Sequence, residues 1–265
     1  MNQLAPDIQR HLTGLAKFPQ ARMPGPEVYE AEYDHWPWGK VLEEAVDWVE
    51  QHAPKSAFVV DYMCGTGFLL NQIVKRRRDI VAVGCDIYPP YVRYAEHKYA
   101  GVKFVENDAL VYQPDCSPDL IICTAGIHHL ERQDQARFIE KVSRELVQGG
   151  LLLVGEELIS PFMCEEDRKR AVLEMFGALM AYIDKTAPPD DVVQAVADVM
   201  VNDWCERGEY KTSKAGFETL LAPHFDVLSA RQIWPEQRMA FGDWLFVCSK
   251  RFSGEPCSDS RTTRL

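Results

Sequence analysis

The sequence lacks a hydrophobic run long enough to cross a membrane. No stretch approaches the roughly 18 consecutive apolar residues that a spanning helix needs. A secretion signal is also missing, because residues 1–14 contain no basic flank followed by an apolar core. These absences predict a cytoplasmic protein with no membrane partner.

Cysteine pairs at metal-binding spacing are absent too. None of the eight cysteines belongs to a Cys-x-x-Cys pair, which predicts reduced thiols and neither a zinc site nor a disulfide framework. Positive charge is scarce, since 29 Lys and Arg residues stand against 40 Asp and Glu residues, for a net charge of −11. Such a charge repels a polyanion at long range, so we expect no nucleic-acid partner.

What the sequence does contain is a regular alternation of short apolar runs with amphipathic segments. Over residues 57–157 the alternation predicts five strands separated by helices, which is typical of a parallel sheet covered on both faces. Two further runs, 225–233 and 241–249, have a short Pro-containing connection that predicts an antiparallel hairpin. We therefore expect one α/β domain with a seven-stranded, mostly parallel sheet.

A glycine turn follows the first predicted strand. The apolar run 57–60 leads into Asp61, then Gly65-x-Gly67, then a second apolar segment, which is the strand–loop–helix pattern of a nucleotide-binding turn. Other polar residues follow the later strands, and ligands of such sheets bind beyond the carboxyl ends of the strands. The residues expected at that edge are Asp61, Asp86, Asp108, His128 and Glu156.

The segment from Asp61 to Gly67 resembles the first motif of the class I S-adenosylmethionine-dependent methyltransferases, acid-x-Gly-x-Gly-x-Gly. The resemblance covers residues 57–157 and the final hairpin. Met63 stands where the family usually has its first glycine, so the loop must tolerate a side chain there or be shifted. A Rossmann dehydrogenase is the alternative, disfavoured because Leu70 replaces its third glycine and because the sheet ends in a hairpin.

The resemblance implies a Rossmann-like class I methyltransferase fold and S-adenosyl-L-methionine as cofactor. It implies that Asp86 accepts hydrogen bonds from the ribose hydroxyls, that Asp108 meets the adenine amino group, and that Thr124 begins the loop facing the reactive methyl. The full set of expected cofactor residues is Asp61, Gly65, Gly67, Asp86, Ile87, Asn107, Asp108, Ala109 and Thr124, with Tyr88 packing beside Ile87.

The loop after the fourth strand carries two adjacent histidines, His128 and His129. A histidine near neutral pKa can remove a proton from an acceptor hydroxyl or amine. We expect His129 to face the pocket and His128 to be structural, and a histidine that only hydrogen-bonds the backbone remains the alternative. Glu156 and Glu157, expected just after the fifth strand, either orient an acceptor or sit as acids at a helix N-terminus.

Metal-assisted transfer in this family needs an acid at the end of the fourth strand, where this sequence has Thr124. The Asn/Asp-Pro-Pro-aromatic motif of base amino methyltransferases is missing from the same loop. Both absences predict a metal-free site for a small molecule.

The predicted domain limits are an aromatic cap at 1–38, a methyltransferase domain at 39–252 with a helical insertion at 158–224, and a disordered tail at 253–265. The cap either covers the core or closes over a pocket. The two amphipathic helices of the insertion form either a roof over the strand ends or a homodimer interface. The expected substrate residues are Tyr33, Glu157, Trp204 and Arg207.

The sequence therefore predicts a methyltransferase for a small, specialised-metabolite acceptor. Basic residues at Arg207 and Lys211 leave open an anionic acceptor such as a prenyl diphosphate methylated at carbon, although a solvated helix end is the other interpretation of these residues. A protein or RNA methyltransferase and a non-catalytic cofactor-binding module are the remaining alternatives.

Overall fold

A computed structural model of the protein describes residues 23–251. The predicted tail and the first 22 residues of the predicted cap lie outside this range. The strands are β1 (Phe58–Tyr62), β2 (Val81–Asp86), β3 (Lys103–Glu106), β4 (Leu120–Thr124), β5 (Leu151–Leu158), β6 (Phe225–Trp234) and β7 (Gly242–Lys250).

The helices alternate with these strands up to β5 and then accumulate before β6. They are α1 (Pro26–His35), α2 (Trp38–His52), α3 (Phe68–Arg76), α4 (Pro89–Lys98), α5 (Arg132–Glu145), α6 (Glu165–Ile183), α7 (Asp190–Cys205) and α8 (Lys214–Leu221). Short 3-10 turns cover Ile127–His129 and Asp184–Thr186.

The strands form one sheet in the order β3-β2-β1-β4-β5-β7-β6. The first five strands are parallel to their neighbours, whereas β7 runs antiparallel to both β5 and β6. Two apolar cores lie against the sheet, and the interior strands β1 and β4 are buried because helices cover both faces. The predicted Rossmann-like fold with a C-terminal antiparallel hairpin is confirmed.

The fifth strand is longer than predicted. Its pairing with β7 continues to Leu158, so Glu156 and Glu157 lie inside β5, and the prediction that they follow the strand is wrong. Successive strand residues point to opposite faces. The two carboxylates accordingly serve different partners, as described below.

Helices α6, α7 and α8 lie within the predicted insertion. On α6, the predicted stripe is buried at Val172, Phe176 and Ile183, but Met180 is exposed and does not belong to it. Because this stripe packs inside the chain, it offers no large apolar face, and a homodimer stays a prediction.

Within residues 23–251, no helix is both long enough and apolar enough to cross a membrane. The cysteines among residues 23–251 form no disulfide with one another.

Candidate active site

The glycine turn after β1 uses left-handed backbone at three positions. Gly65 and Gly67 have φ of 54° and 76°, and Met63 has φ of 56°. A side chain on Gly67 would place its Cβ 2.4 Å from the Phe104 ring, so glycine is required there. Met63 adopts the same left-handed backbone conformation, which costs a residue with a side chain about 1 kcal/mol. The loop thus tolerates the departure from the family motif.

Asp86, the last residue of β2, ties the turn to the sheet. One carboxylate oxygen accepts the Gly65 N–H at 2.8 Å, and the other accepts the Tyr88 N–H at 2.8 Å. A carboxylate oxygen can accept a second hydrogen bond. Asp86 therefore keeps acceptor capacity for two neighbouring hydroxyls such as those of a ribose.

Asp61 lies in β1 beside the turn and is an orphaned carboxylate. Its side chain is 1% exposed, and neither oxygen has a hydrogen-bond partner among the described residues. Burial, and secondarily the charge of Asp86, raise its pKa well above the usual value of 3.8. A buried carboxylate needs a donor, and S-adenosylmethionine supplies one in its α-ammonium group. The residues present therefore fit this cofactor.

The predicted adenine residues lie at the end of β3. Asn107 accepts the Asp108 N–H through its side-chain oxygen at 2.8 Å, and Asp108 Oδ1 accepts the Leu110 N–H at 2.8 Å. These bonds fix the Asp108 carboxyl with Oδ2 available for an amino group. Ala109 is buried, whereas Ile87 is 65% exposed, so Ile87 has an open face on which a ring could pack.

A cavity of about 340 Å³ lies between α1, the loop after β4, β5 and α7. That volume falls within the usual range for small-molecule sites. The cavity brings together four of the residues expected from sequence, Tyr33, His128, His129 and Glu157. The rest of the wall comes mainly from the two flanking helices and their ends: Met23, Pro24, Gly25, Val28, Tyr29, Glu32, Trp36, Trp38, Ala125, Asp191, Gln194, Ala195, Asp198, Val199, Asn202 and Glu209.

Trp204 and Arg207 do not line this cavity, contrary to the prediction. Consecutive helix residues are rotated by about 100°, so Trp204 faces nearly away from Asn202, which does line it. The Trp204 carbonyl accepts a hydrogen bond from Arg168 at 2.9 Å, and Lys169 lies over its ring. Trp204 thus belongs to the contact between α6 and α7.

His128 is buried and held by two carboxylates. Its Nδ1 lies 2.6 Å from Glu156 Oε2, while Glu156 Oε1 accepts the Ile127 N–H at 2.8 Å. Its Nε2 lies 3.5 Å from Glu209 Oε2. Glu156 therefore orients the histidine loop from inside β5 and does not itself line the cavity.

His129 is the accessible histidine, with a side chain 43% exposed. Its Nδ1 lies 3.0 Å from the Gly208 carbonyl oxygen and 3.3 Å from Glu209 Oε1. Burial lowers its pKa, but the charge of Glu209 more than offsets burial and raises the pKa to about 9. His129 is therefore protonated at neutral pH and becomes a base only in more alkaline solution.

Lys211 is fully buried between three carboxylates. Its Nζ lies 2.7 Å from Asp203, 2.8 Å from Glu209 and 3.1 Å from Glu157. Burial lowers its pKa, but these carboxylates raise it well above 10.5 overall. Both sequence interpretations of Lys211, a solvated helix end and an anion-binding lid, are wrong, because the loop after α7 turns the side chain inward.

Sequence reasoning missed Glu32, Asp203, Glu209 and Asp243, all buried near this network. Glu209 and Lys211 are two residues apart in the loop after α7, and their side chains are in contact at 2.8 Å. That spacing was the only signal available for the pair.

His128, His129 and Glu209 bring possible metal-ligand atoms within 4.8 Å of one another. However, Glu209 Oε2 is already bound to the Lys211 ammonium, and His128 Nδ1 to Glu156. Because the Lys211 ammonium already lies beside Glu209, the only carboxylate of these three residues, binding of a metal cation there is disfavoured. The metal-free site remains a prediction.

The strand order and the turn define a class I methyltransferase fold, with a cavity beside the residues that are expected to bind the cofactor. Residues 59–150 match the family model described as a methyltransferase domain. A trans-aconitate 2-methyltransferase from Methylobacterium nodulans is 31% identical over 98 residues, which are 37% of this chain and 37% of that protein. The chain therefore spans little more than a third of this curated relative.

Two solved structures are similar over almost the whole chain. Magnesium protoporphyrin IX methyltransferase from Synechocystis PCC 6803, with bound S-adenosylhomocysteine, has a TM-score of 0.52 at 12% identity and covers 92% of this chain and 95% of its own. The N-methyltransferase NodS from Bradyrhizobium japonicum WM9, in complex with S-adenosylhomocysteine, has a TM-score of 0.51 at 12% identity, covering 91% and 96%. Both similarities, at 12% identity, show the fold of the class I S-adenosylmethionine-dependent methyltransferases, and both structures hold S-adenosylhomocysteine, the product form of that cofactor.

Proposed function

We propose that this protein transfers the methyl group of S-adenosylmethionine to a small, specialised-metabolite acceptor without the help of a metal ion, and that it acts in the cytoplasm. The observation that carries the proposal is the cavity of about 340 Å³ between α1 and α7, which opens onto the histidine loop after β4. A cavity closed by helices on two sides suits an enclosed molecule better than a polymer.

In this proposal Asp61, Asp86 and Asp108 bind the cofactor through its ammonium, ribose and adenine groups. The bound cofactor supplies an activated methyl group, and the chain aligns the acceptor with it and excludes water. Tyr33 and Glu157 form part of the acceptor wall. Above its pKa of about 9, where the imidazole is neutral, His129 accepts a proton when the acceptor must lose one.

The names of the relatives support a small acceptor. Trans-aconitate and magnesium protoporphyrin IX are both small molecules. The wall does not favour a prenyl diphosphate, because no lysine or arginine of residues 23–251 lines the cavity. Two or more phosphate charges would meet Glu157 and Glu209 there.

The test is to incubate the protein with radiolabelled S-adenosylmethionine and a metabolite extract, with and without a chelator. We expect label in the small-molecule fraction, and the same rate after the chelator is added. Label confined to protein or RNA would contradict the proposal that the acceptor is a small molecule. Loss of transfer that is restored by a divalent cation would contradict the metal-free mechanism, and cofactor binding without any product would indicate a binding module.

A further inference from the structure

We propose that the acceptor is a small organic ammonium compound and that the Glu32 carboxylate binds its positive charge. This inference rests on the proposed function, because it names the chemical class of the acceptor. It follows from the partners of Glu32, from the balance of charges around the cavity and from the aromatic residues of the same wall.

Glu32 lines the cavity from α1, and its side chain is 7% exposed. Among residues 23–251, no hydrogen bond or ion pair reaches its carboxyl group, although its backbone oxygen caps the helix. Its neighbour Glu30 shows the contrast, since that carboxylate is bound by Lys98, the last residue of α4, and by Tyr99, which follows it. A buried carboxylate is costly without a partner. The carboxyl group of Glu32 therefore lines the cavity without a partner among the described residues.

Acidic side chains also outnumber basic ones around the cavity. Lys211 is the buried lysine of this region, and Glu157, Asp203 and Glu209 already share it. The remaining bases are the two histidines, each in contact with Glu209. On the cavity wall Glu32 is the buried acid that has no cationic partner among the described residues, whereas Asp191 is exposed and Asp198 accepts a hydrogen bond from Gln194. A cation bound beside Glu32 would favour its ionised form.

Aromatic rings surround Glu32. Tyr29, Glu32, Tyr33 and Trp36 are spaced i, i+3, i+4 and i+7, so they occupy one face along α1 and its end. All four line the cavity together with Trp38. Ring faces attract ammonium groups and tolerate their methyl or methylene substituents. An acid set among aromatic rings is the arrangement that distinguishes an organic ammonium from a metal ion or a neutral molecule.

The protonation of Glu32 agrees with this role. Burial, and secondarily the charge of Glu157, raise its pKa to about 8. The carboxyl group is therefore largely protonated at neutral pH when no cation is bound. A bound ammonium would favour the ionised form and release that proton.

A competing explanation is that the acids serve the cofactor, since S-adenosylmethionine itself carries a sulfonium and an ammonium. S-adenosylhomocysteine has no sulfonium charge. When the protein is saturated with it, the cofactor site is filled and any further binding is to the acceptor cavity. The experiment measures calorimetric affinities of this complex for phenethylamine, phenethyl alcohol and phenylacetate. These probes share a ring and a chain length and differ in the charge of the head group.

We expect phenethylamine to bind about tenfold more tightly than the alcohol, and phenylacetate to bind most weakly, on the scale of a charged hydrogen bond. Glu32→Gln should lower the affinity for the amine about tenfold and change that for the alcohol by less than about twofold. Asp34→Asn is the matched control, because it removes one charge from the exposed side of the same helix. It should leave all three affinities unchanged.

Equal affinities for amine and alcohol, or no binding by any of the three probes, would overturn the inference. So would a Glu32→Gln variant that loses S-adenosylmethionine but keeps the amine, because Glu32 would then serve the cofactor. The melting temperature of Glu32→Gln checks its folding. Failure of S-adenosylhomocysteine to bind the wild-type protein would instead refute the proposed function itself.

Discussion

The two ends of the candidate site are built in different ways. At the cofactor end, defined by Asp61, Gly65, Asp86 and Asp108, each residue lies in or directly after one of three adjacent strands. At the acceptor end, α1, the histidine loop, β5 and the loop after α7 meet although they are far apart in sequence. The cofactor end is thus specified locally, whereas the acceptor end depends on long-range packing and on buried charge.

The largest expected effect is at the acceptor end. Lys211→Met should lower the free energy of unfolding by about 3–5 kcal/mol, because three buried carboxylates lose their shared cation. Urea unfolding measures this. Lys214→Met is the control, since that lysine is 33% exposed and pairs with Glu218 one helical turn away, which is worth about 0.5 kcal/mol. Similar losses in both variants would contradict the buried network.

At the cofactor end, Asp86→Ala should weaken S-adenosylmethionine binding by about 2–4 kcal/mol, because ribose hydroxyls would lose an ionised acceptor. Calorimetry gives the affinity. Asp115→Ala removes the same charge from a side chain that is 92% exposed and should leave the affinity unchanged. Undiminished binding in Asp86→Ala would remove this residue from the site.

Asp61→Asn should raise the stability of the protein and lower its affinity for S-adenosylmethionine. The ionised Asp61 side chain opposes folding because its folded pKa is raised above 3.8, so the stability of the wild type falls as pH rises above that value. Asparagine does not ionise, so the variant does not lose stability in this way. Its stability relative to the wild type should therefore increase as pH rises. Its affinity for S-adenosylmethionine should fall about tenfold. Melting curves at several pH values and calorimetry measure the two effects, and a joint loss would contradict the orphaned carboxylate.

A smaller effect is expected in the pH dependence of transfer. If His129 is the base, the rate rises with pH through its pKa of about 9. Glu209→Gln removes the charge that raises this pKa, so the midpoint should move toward 6.5. The measurement is the rate at saturating acceptor over pH. His129→Gln should abolish the dependence in this range, and a midpoint that Glu209→Gln leaves in place would exclude His129 as its origin.

The contrast between the ends explains what the sequence could predict. Strand periodicity and the contiguous turn predicted the sheet and its hairpin, and they predicted that the three acids lie at one edge of the sheet, because those signals are local. Glu32 and Asp203 gave no signal, since each becomes important only when helices distant in sequence fold over β5. Lys211 was misinterpreted for the same reason, as a lysine near aromatic residues looks solvated until the carboxylates around it are known.

Glu209 connects three side chains through one carboxyl group. Oε1 lies 3.3 Å from His129, while Oε2 lies 2.8 Å from Lys211 and 3.5 Å from His128. The loop carrying Glu209 begins where α7 ends at Cys205, and α7 also forms one side of the acceptor cavity. Glu209 is itself part of the cavity wall, so a molecule bound there lies beside the anion that holds the proton on His129.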